Sequence, residues 1–494
     1  MGDSSGASTL ARQGGVTFVG NIIGKALGFA FVVVITRFVS PTTYGTFTLA
    51  LSIISLTQGL SSLSIHRSID FFVPQSLSND EPGKAKEILR SVTIIGLLGS
   101  SIGTAVLLFS APWLTSLFKD PSLVTALPLL ALTLPLTTLN QIFLASFNSI
   151  KKLKFRVYTK NLINPIGKLI IAVALVLILG NDLLGLTGGY LIALAITVLS
   201  GGTFLLMNAS WVRHTHAEAV DGRQLVSYSF PLLFAGLIYA VVGQIDYFFI
   251  GYFRTSPDVA KYKVSYLLAS NLLIVLSAVT PVFKPMVSEA RAQHSVLAER
   301  FKLSTRWVTM LTIPIAVTLM LAPGTYLSLF FTADYAAANI VVVVLVAGYL
   351  ANASFGPEGM MLEGLGHTRL TLLNTILLIA VNITLDALLI PRIGILGAAI
   401  GTGAGLAVAG AAGVLELYYL RKLHPYSRRL AIVWIAAIPA VLAGMGLLLF
   451  LDASLAQALT LPVVVSVIYL LAVVILGGTT EEDRHVLRNI WSNT

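Results

Sequence analysis

The chain has 494 residues, of which 56% are hydrophobic and only 11% charged, and its mean hydropathy is +0.86. Soluble domains carry about 25% charged residues, so a soluble globular protein of this length is excluded. The absence of cysteine excludes disulfides, thiolate metal sites and a cysteine nucleophile. The net charge of +10 needs its distribution along the chain before it means anything.

About 20 apolar residues cross a bilayer, and only helices or closed barrels can do so. Runs of that length recur without strand-like alternation. The expected spans are 15–39, 44–66, 89–111, 123–147, 157–180, 183–208, 224–252, 264–288, 304–331, 335–356, 370–391, 394–420, 430–451 and 455–478. The sequence therefore predicts an all-α polytopic membrane protein of about 14 transmembrane helices. Residues 1–14 read as a polar tail with no cleavable signal peptide.

Charge sets the orientation. With the N-terminus inside, the outer loops hold only Lys119, Arg254, Lys261, Lys263 and Arg392 of the 32 Lys and Arg. The rich loops, Lys151-Lys152-Leu153-Lys154-Phe155-Arg156 and Arg421-Lys422 to Arg428-Arg429, fall on the same side. This is the positive-inside pattern, and it places both termini in the cytoplasm. It also removes nucleic acid as an expected partner.

A weak repeat suggests the domain plan. Gly185-Leu186-Thr187-Gly188-Gly189 and Gly394-Ile395-Leu396-Gly397-Ala398 open the sixth and twelfth spans, and Asn161 and Asn374 lie near the starts of the spans before them. The expected organisation is a tail (1–14), an N-lobe of six helices (15–208), a linker (209–223), a C-lobe of six helices (224–420), a basic loop (421–429), two extra helices (430–478) and a tail (479–494). Transporters are often built from such repeats. Small-residue stripes at Gly20, Gly24 and Gly28, and at Gly397, Gly401, Gly405, Ala409 and Gly413, suit close helix packing in lipid.

Charges inside the membrane mark the candidate site. A cation at the bilayer centre costs roughly 3 kcal/mol or more unless it faces a cavity or partner. Lys25 lies near mid-span, with Asn21 one turn before it. Asn161, Asn164 and Lys168 fall at i, i+3 and i+7, a one-face spacing. No acid stands at matching depth in the first half, so these cations suit an anionic ligand such as a phosphate or diphosphate. Snorkelling, or pairing with an acid of the second half, is the structural alternative. Arg67 joins the head-group set, although pairing with Asp70 three residues on is a competing expectation. Asp246, Asp386 and Asn382 are the candidates for ion coupling. No catalytic residue, metal site or cofactor is expected, and no Walker motif is present.

Several elements carry a resemblance. They are Thr36-Arg37-Phe38-Val39-Ser40-Pro41-Thr42-Thr43-Tyr44-Gly45, followed by Gly59 and Arg67; Gln244-Ile245-Asp246-Tyr247-Phe248-Phe249-Ile250-Gly251 with Tyr262, Pro285 and Ser288; Glu363-Gly364-Leu365-Gly366-His367; and Asn374, Asn382, Asp386, Ile390-Pro391 and Gly394 to Ala399. In order, they resemble the polysaccharide-biosynthesis flippases of the multidrug/oligosaccharidyl-lipid/polysaccharide exporter superfamily. Asp386 stands where many relatives carry Asn.

The resemblance implies two six-helix lobes around a cavity that opens alternately to each side of the cell membrane. The implied cargo is an oligosaccharide on a polyprenyl (dolichyl or undecaprenyl) phosphate, flipped to the outer leaflet for surface polysaccharide or protein N-glycan. The last two helices would form a groove for the tail. Expected partners are that lipid-linked oligosaccharide, membrane lipids, and glycosyltransferases, an oligosaccharyltransferase or a polymerase of the same pathway. Two rivals stand beside this reading. A cation-coupled drug or metabolite exporter would favour acidic cavity residues. A glycan polymerase or ligase would need a large outer loop.

Overall fold

The computed structural model describes residues 3–480 apart from 215 and 217; all but the first two residues of the tail expected over 479–494 lie outside them. Every regular element among the described residues is helical. Among the described residues, eleven helices are long and apolar enough to cross a membrane, or twelve if Gly222–Ile238 and Ala240–Phe253, which meet at 42°, count as one span. Local signals fix many boundaries. Ser40 caps Pro41–Ser61, Asn181 caps Asp182–Asn208 and Ser454 caps Leu455–Ile475, each accepting from a backbone N–H of the first turn. Gly180, with φ of 59°, follows the last residue of Asn164–Leu179, where only glycine is at ease.

Two of the expected spans are not among these twelve. The 44–66 stretch falls on the helix Pro41–Ser61 and a turn in which Leu63 and Ser64 have φ of 50° and 49°, before the helix Arg67–Ser78 begins. The 264–288 stretch falls on Ser256–Ser270 and Leu273–Glu289. Pro41–Ser61 is a continuous helix of 21 residues, so the turn takes only the end of the first of these spans, whereas the second is divided between helices of 15 and 17 residues. The 294–303 segment is the start of the long helix His294–Leu321.

The chain divides into two compact units, residues 1–260 and 261–494. In the first, Ile65, Ile69, Val73, Ile88, Val92, Ile142 and Phe147 form a shared core. Its outward positions are apolar too: Phe109 is 88% exposed and Ile178 76%. That inverts a soluble protein's surface and suits contact with lipid tails. The helix Gly222–Phe253 belongs to this unit. Ser68 Oγ lies 2.6 Å from Ser229 Oγ and donates to the Leu225 carbonyl at 3.0 Å, while Phe71 stacks on Tyr228 with ring centres 4.7 Å apart.

In the second unit, Phe283, Val287, Phe301, Met361, Leu362 and Leu417 form the core. The helices Asn339–Phe355 and Ile395–Arg421 meet backbone to backbone, because a β-carbon on Gly348 would collide with the Gly403 Cα. Packing of this kind replaces the hydrophobic drive that lipid does not supply.

Candidate functional site

The first helix, Asp3–Phe38, meets a six-residue π-helix, Tyr158–Ile163, which leads into Asn164–Leu179. Single π turns inside helices often mark functional sites. Asn161 lies in this turn and is buried. Its Nδ2 donates to the Gly20 carbonyl at 2.7 Å and to Asn21 Oδ1 at 3.1 Å. The glycines make the approach: a β-carbon on Gly24 would lie 2.8 Å from Asn161 Nδ2, and one on Gly20 would collide with Val157. Gly28 meets nothing there, so the stripe packs over two of its three positions.

The face shared by Asn161, Asn164 and Lys168 in the sequence is split by that π turn. Asn161 points to the first helix. Asn164 instead donates to Thr197 Oγ1 at 3.3 Å, and the Thr197 hydroxyl in turn donates to the Ala193 carbonyl at 2.8 Å. The Lys168 ammonium stands over the Tyr190 ring, 4.0 Å from its centre. Tyr190 in turn meets Phe47 edge-on, with centroids 5.7 Å apart. Lys25 is exposed and Lys168 half-buried. Neither makes a salt bridge with a described carboxylate.

Arg67 opens the helix Arg67–Ser78 and is exposed. Its expected pairing with Asp70 does not form. Asp70 accepts instead from Asn148 Nδ2 at 3.1 Å, and Asn148 Oδ1 accepts from Arg156 Nη1 at 2.6 Å. No described hydrogen bond joins Arg67 to Asn21, Asn161 or Lys168.

Asp120 is a functional-looking residue that the sequence did not single out. It is 8% exposed and accepts from Thr46 Oγ1 and Ser256 Oγ, and from the Ser122 N–H at 3.0 Å. Three donors from separate segments converge on one buried carboxylate, a strong charge-assisted arrangement. It explains Tyr44-Gly45: a β-carbon on Gly45 would collide with the Ser256 carbonyl.

In the second unit, Asn382 and Asp386 are buried on the helix Thr368–Ile393. Asn382 Nδ2 donates to Thr402 Oγ1 at 3.4 Å, and the Tyr262 hydroxyl lies 3.0 Å from that same oxygen. A β-carbon on Gly401 would collide with Asp386 Oδ1. Thr402 and Tyr262 thus join a polar cluster of which the spacing predicted only Asn382 and Asp386. A threonine in an apolar helix gives no signal by itself. Asp246 is buried in the first unit, on the helix Gly222–Phe253.

Residues 34–340 match the family model described as polysaccharide biosynthesis protein. The chain belongs to that family. Among curated proteins, the chain is similar to a probable low-salt glycan biosynthesis flippase of Haloferax volcanii, 22% identical over 230 residues. The match covers 45% of this chain and 48% of the relative, so the chain spans about half the length of the curated relative it matches. Among solved structures it is similar to the lipid II flippase MurJ in an inward closed conformation, with a TM-score of 0.74 and 15% identity over 94% of this chain and 98% of that one. A second similar structure is a superfamily transporter from Pyrococcus furiosus whose binding pocket is described as reversed in polarity, with a TM-score of 0.52 and 14% identity over 83% of this chain and 94% of that one. At these identities the likeness shows a shared fold. This family member is a multi-pass membrane protein.

Proposed function

We propose that the protein is a flippase that moves a polyprenyl phosphate-linked oligosaccharide from the cytoplasmic to the outer leaflet of the cell membrane by alternating access, without covalent chemistry. Fourteen spans in two six-helix lobes, with two added helices and both termini inside, complete the reading. Lys25, Lys168 and Arg67 receive the phosphate or diphosphate, and Asn21, Asn161 and Asn164 set the helices that carry them.

The observation that carries this is Lys168. It sits within a membrane helix, half-buried, facing an aromatic ring instead of a carboxylate. A ring quadrupole attracts a cation without cancelling its charge, so the charge stays available to an anion. The relative's name, a glycan biosynthesis flippase, points to the same class of cargo.

Asn382, Asp386 and Thr402 supply an all-oxygen donor set in the second unit, which suits a hard cation such as sodium. They are the candidate coupling site, with Asp246 as a further carboxylate for the same task. The testing experiment is flipping by the purified full chain in vesicles: Lys25→Ala with Lys168→Ala should abolish it while the protein stays folded and inserted. Wild-type transport by that double variant would remove the phosphate-binding assignment.

A further inference from the structure

Among the described residues, Leu63 and Ser64 are the only neighbours in the chain that both have positive φ, 50° and 49°. Left-handed backbone is costly for a residue with a β-carbon, and even asparagine and aspartate visit it singly. The segment Ser61-Ser62-Leu63-Ser64-Ile65-His66 holds no glycine, asparagine or aspartate. It holds no proline either, so nothing in it breaks a helix. Local sequence and local structure disagree here, a conflict that marks a segment with competing conformations.

Backbone pairing shows the break. The N–H groups of Leu63, Ile65 and Arg67 donate to the carbonyls of Leu60, Ser62 and Ser64, at 3.4, 3.0 and 3.0 Å. Each bond reaches three residues back, where a continuous α-helix reaches four. The side chains are less well served. Gln58 Nε2 donates to Thr138 Oγ1 at 2.9 Å, but Gln58 Oε1, Ser61 Oγ and His66 Nδ1 are buried without a hydrogen bond. Buried polar groups are nearly always paired. The broken form therefore carries a cost that its surroundings do not offset, whereas strained backbone persists alone only where the surroundings over-determine it.

The neighbouring helices leave room for movement. Gly96, Gly99 and Gly103 of the helix Pro82–Phe118 fall three and four residues apart, on one face. A β-carbon on Gly99 would collide with the Ser61 carbonyl, and one on Gly103 would lie 2.7 Å from Ser61 Cβ. The break thus rests on bare backbone, with no side chain at these positions to interlock with it. On the helix Gly222–Phe253, a β-carbon on Gly236 would lie 3.1 Å from Ser64 Oγ, and the same helix bends by 42° between Ile238 and Ala240. Two interruptions lie side by side. The helix Arg67–Ser78 is tied down by contrast. Ser149 Oγ donates to the Ile69 carbonyl at 2.9 Å, and Ile69 and Val73 belong to the unit's core.

We propose that residues 61–66 are a conformational switch with a second, fully helical state, in which Pro41–Ser61 and Arg67–Ser78 join as one helix. The exchange swings Pro41–Ser61 about a fixed Arg67–Ser78. It holds for any cargo and stands apart from the flippase reading.

The chain has no cysteine, so introduced pairs can be spin-labelled without background. Leu60→Cys with Gln75→Cys, both exposed, brackets the break. Ile94→Cys with Phe109→Cys sets the same sequence spacing on the unbroken helix Pro82–Phe118, where it should give one separation of about 22 Å. Pulsed electron double resonance on the full chain in nanodiscs should find two separations for the bracketing pair, one of them near that of the control helix. Adding Leu63→Gly with Ser64→Gly should cut the helical fraction about tenfold or more, because glycine enters the left-handed form freely and weakens a helix. The control pair in the same background reports that the protein is folded. A single separation for the bracketing pair at every pH and sodium level overturns the proposal. So does a folded glycine variant that keeps the wild-type ratio.

Discussion

The Lys168 ammonium lies 4.0 Å from the centre of the Tyr190 ring on the neighbouring helix. Close packing holds the two helices together, because a β-carbon on Gly185 would lie 2.5 Å from the Val176 nitrogen and one on Gly189 would collide with Ala172. The contact is worth about 0.5–1 kcal/mol at an exposed site and 2 or more when desolvated. Tyr190→Leu therefore slows flipping by roughly threefold to thirtyfold, through a weaker hold on the head group. Reconstituted transport at graded substrate levels checks this. An unchanged rate and apparent affinity would detach Tyr190 from Lys168.

Asn161 is the polar joint between the first helix and the π turn. Asn161→Leu leaves the Gly20 carbonyl and Asn21 Oδ1 without this donor, which costs about 1–3 kcal/mol. The unfolding temperature should fall while the protein still inserts. A variant as stable as wild type would show that the joint contributes nothing.

Asp120 gathers donors from Thr46, Ser122 and Ser256. Asp120→Ala strands two buried hydroxyls and costs roughly 2–5 kcal/mol. Gly45→Ala acts on the same junction by pushing against the Ser256 carbonyl. Because both break one junction, the double variant should lose less than the sum of the single losses. Denaturation of the four proteins measures it, and simple additivity would separate the two positions.

Asp386 and Gly401 make a matched pair for coupling. Asp386→Asn should remove any dependence of flipping on a cation gradient. Gly401→Ala, which displaces the same carboxylate, should copy that loss. Flipping measured with and without imposed sodium and proton gradients decides it. Full gradient dependence in Asp386→Asn would take this cluster out of coupling.

The fold class was legible because lipid demands long apolar runs that no soluble core needs. The broken elements were not. Pro41–Ser61 ends in two left-handed residues, Leu63 and Ser64, that composition does not announce, and the turn between Ser270 and Leu273 sits inside an apolar stretch. Spacing drew attention to Asn21 and Asn161 without revealing that they touch, because contact depends on how two helices meet. The same spacing put Asn164 and Lys168 on one face with Asn161, and the π turn rotates them apart. Thr197 and Thr402 left no trace, since threonines fill apolar helices throughout the chain. Asp120 lay in a short loop where an aspartate reads as an ordinary turn former.

The most direct test is flipping itself. The purified full chain goes into sealed vesicles with a polyprenyl phosphate-linked oligosaccharide placed in the inner leaflet, and a glycosidase outside reports arrival. Glycan should become accessible with the wild type, under a sodium or proton gradient, and stay protected with Lys25→Ala and Lys168→Ala combined. Accessibility no faster than in protein-free vesicles, under either gradient, would contradict the flippase reading.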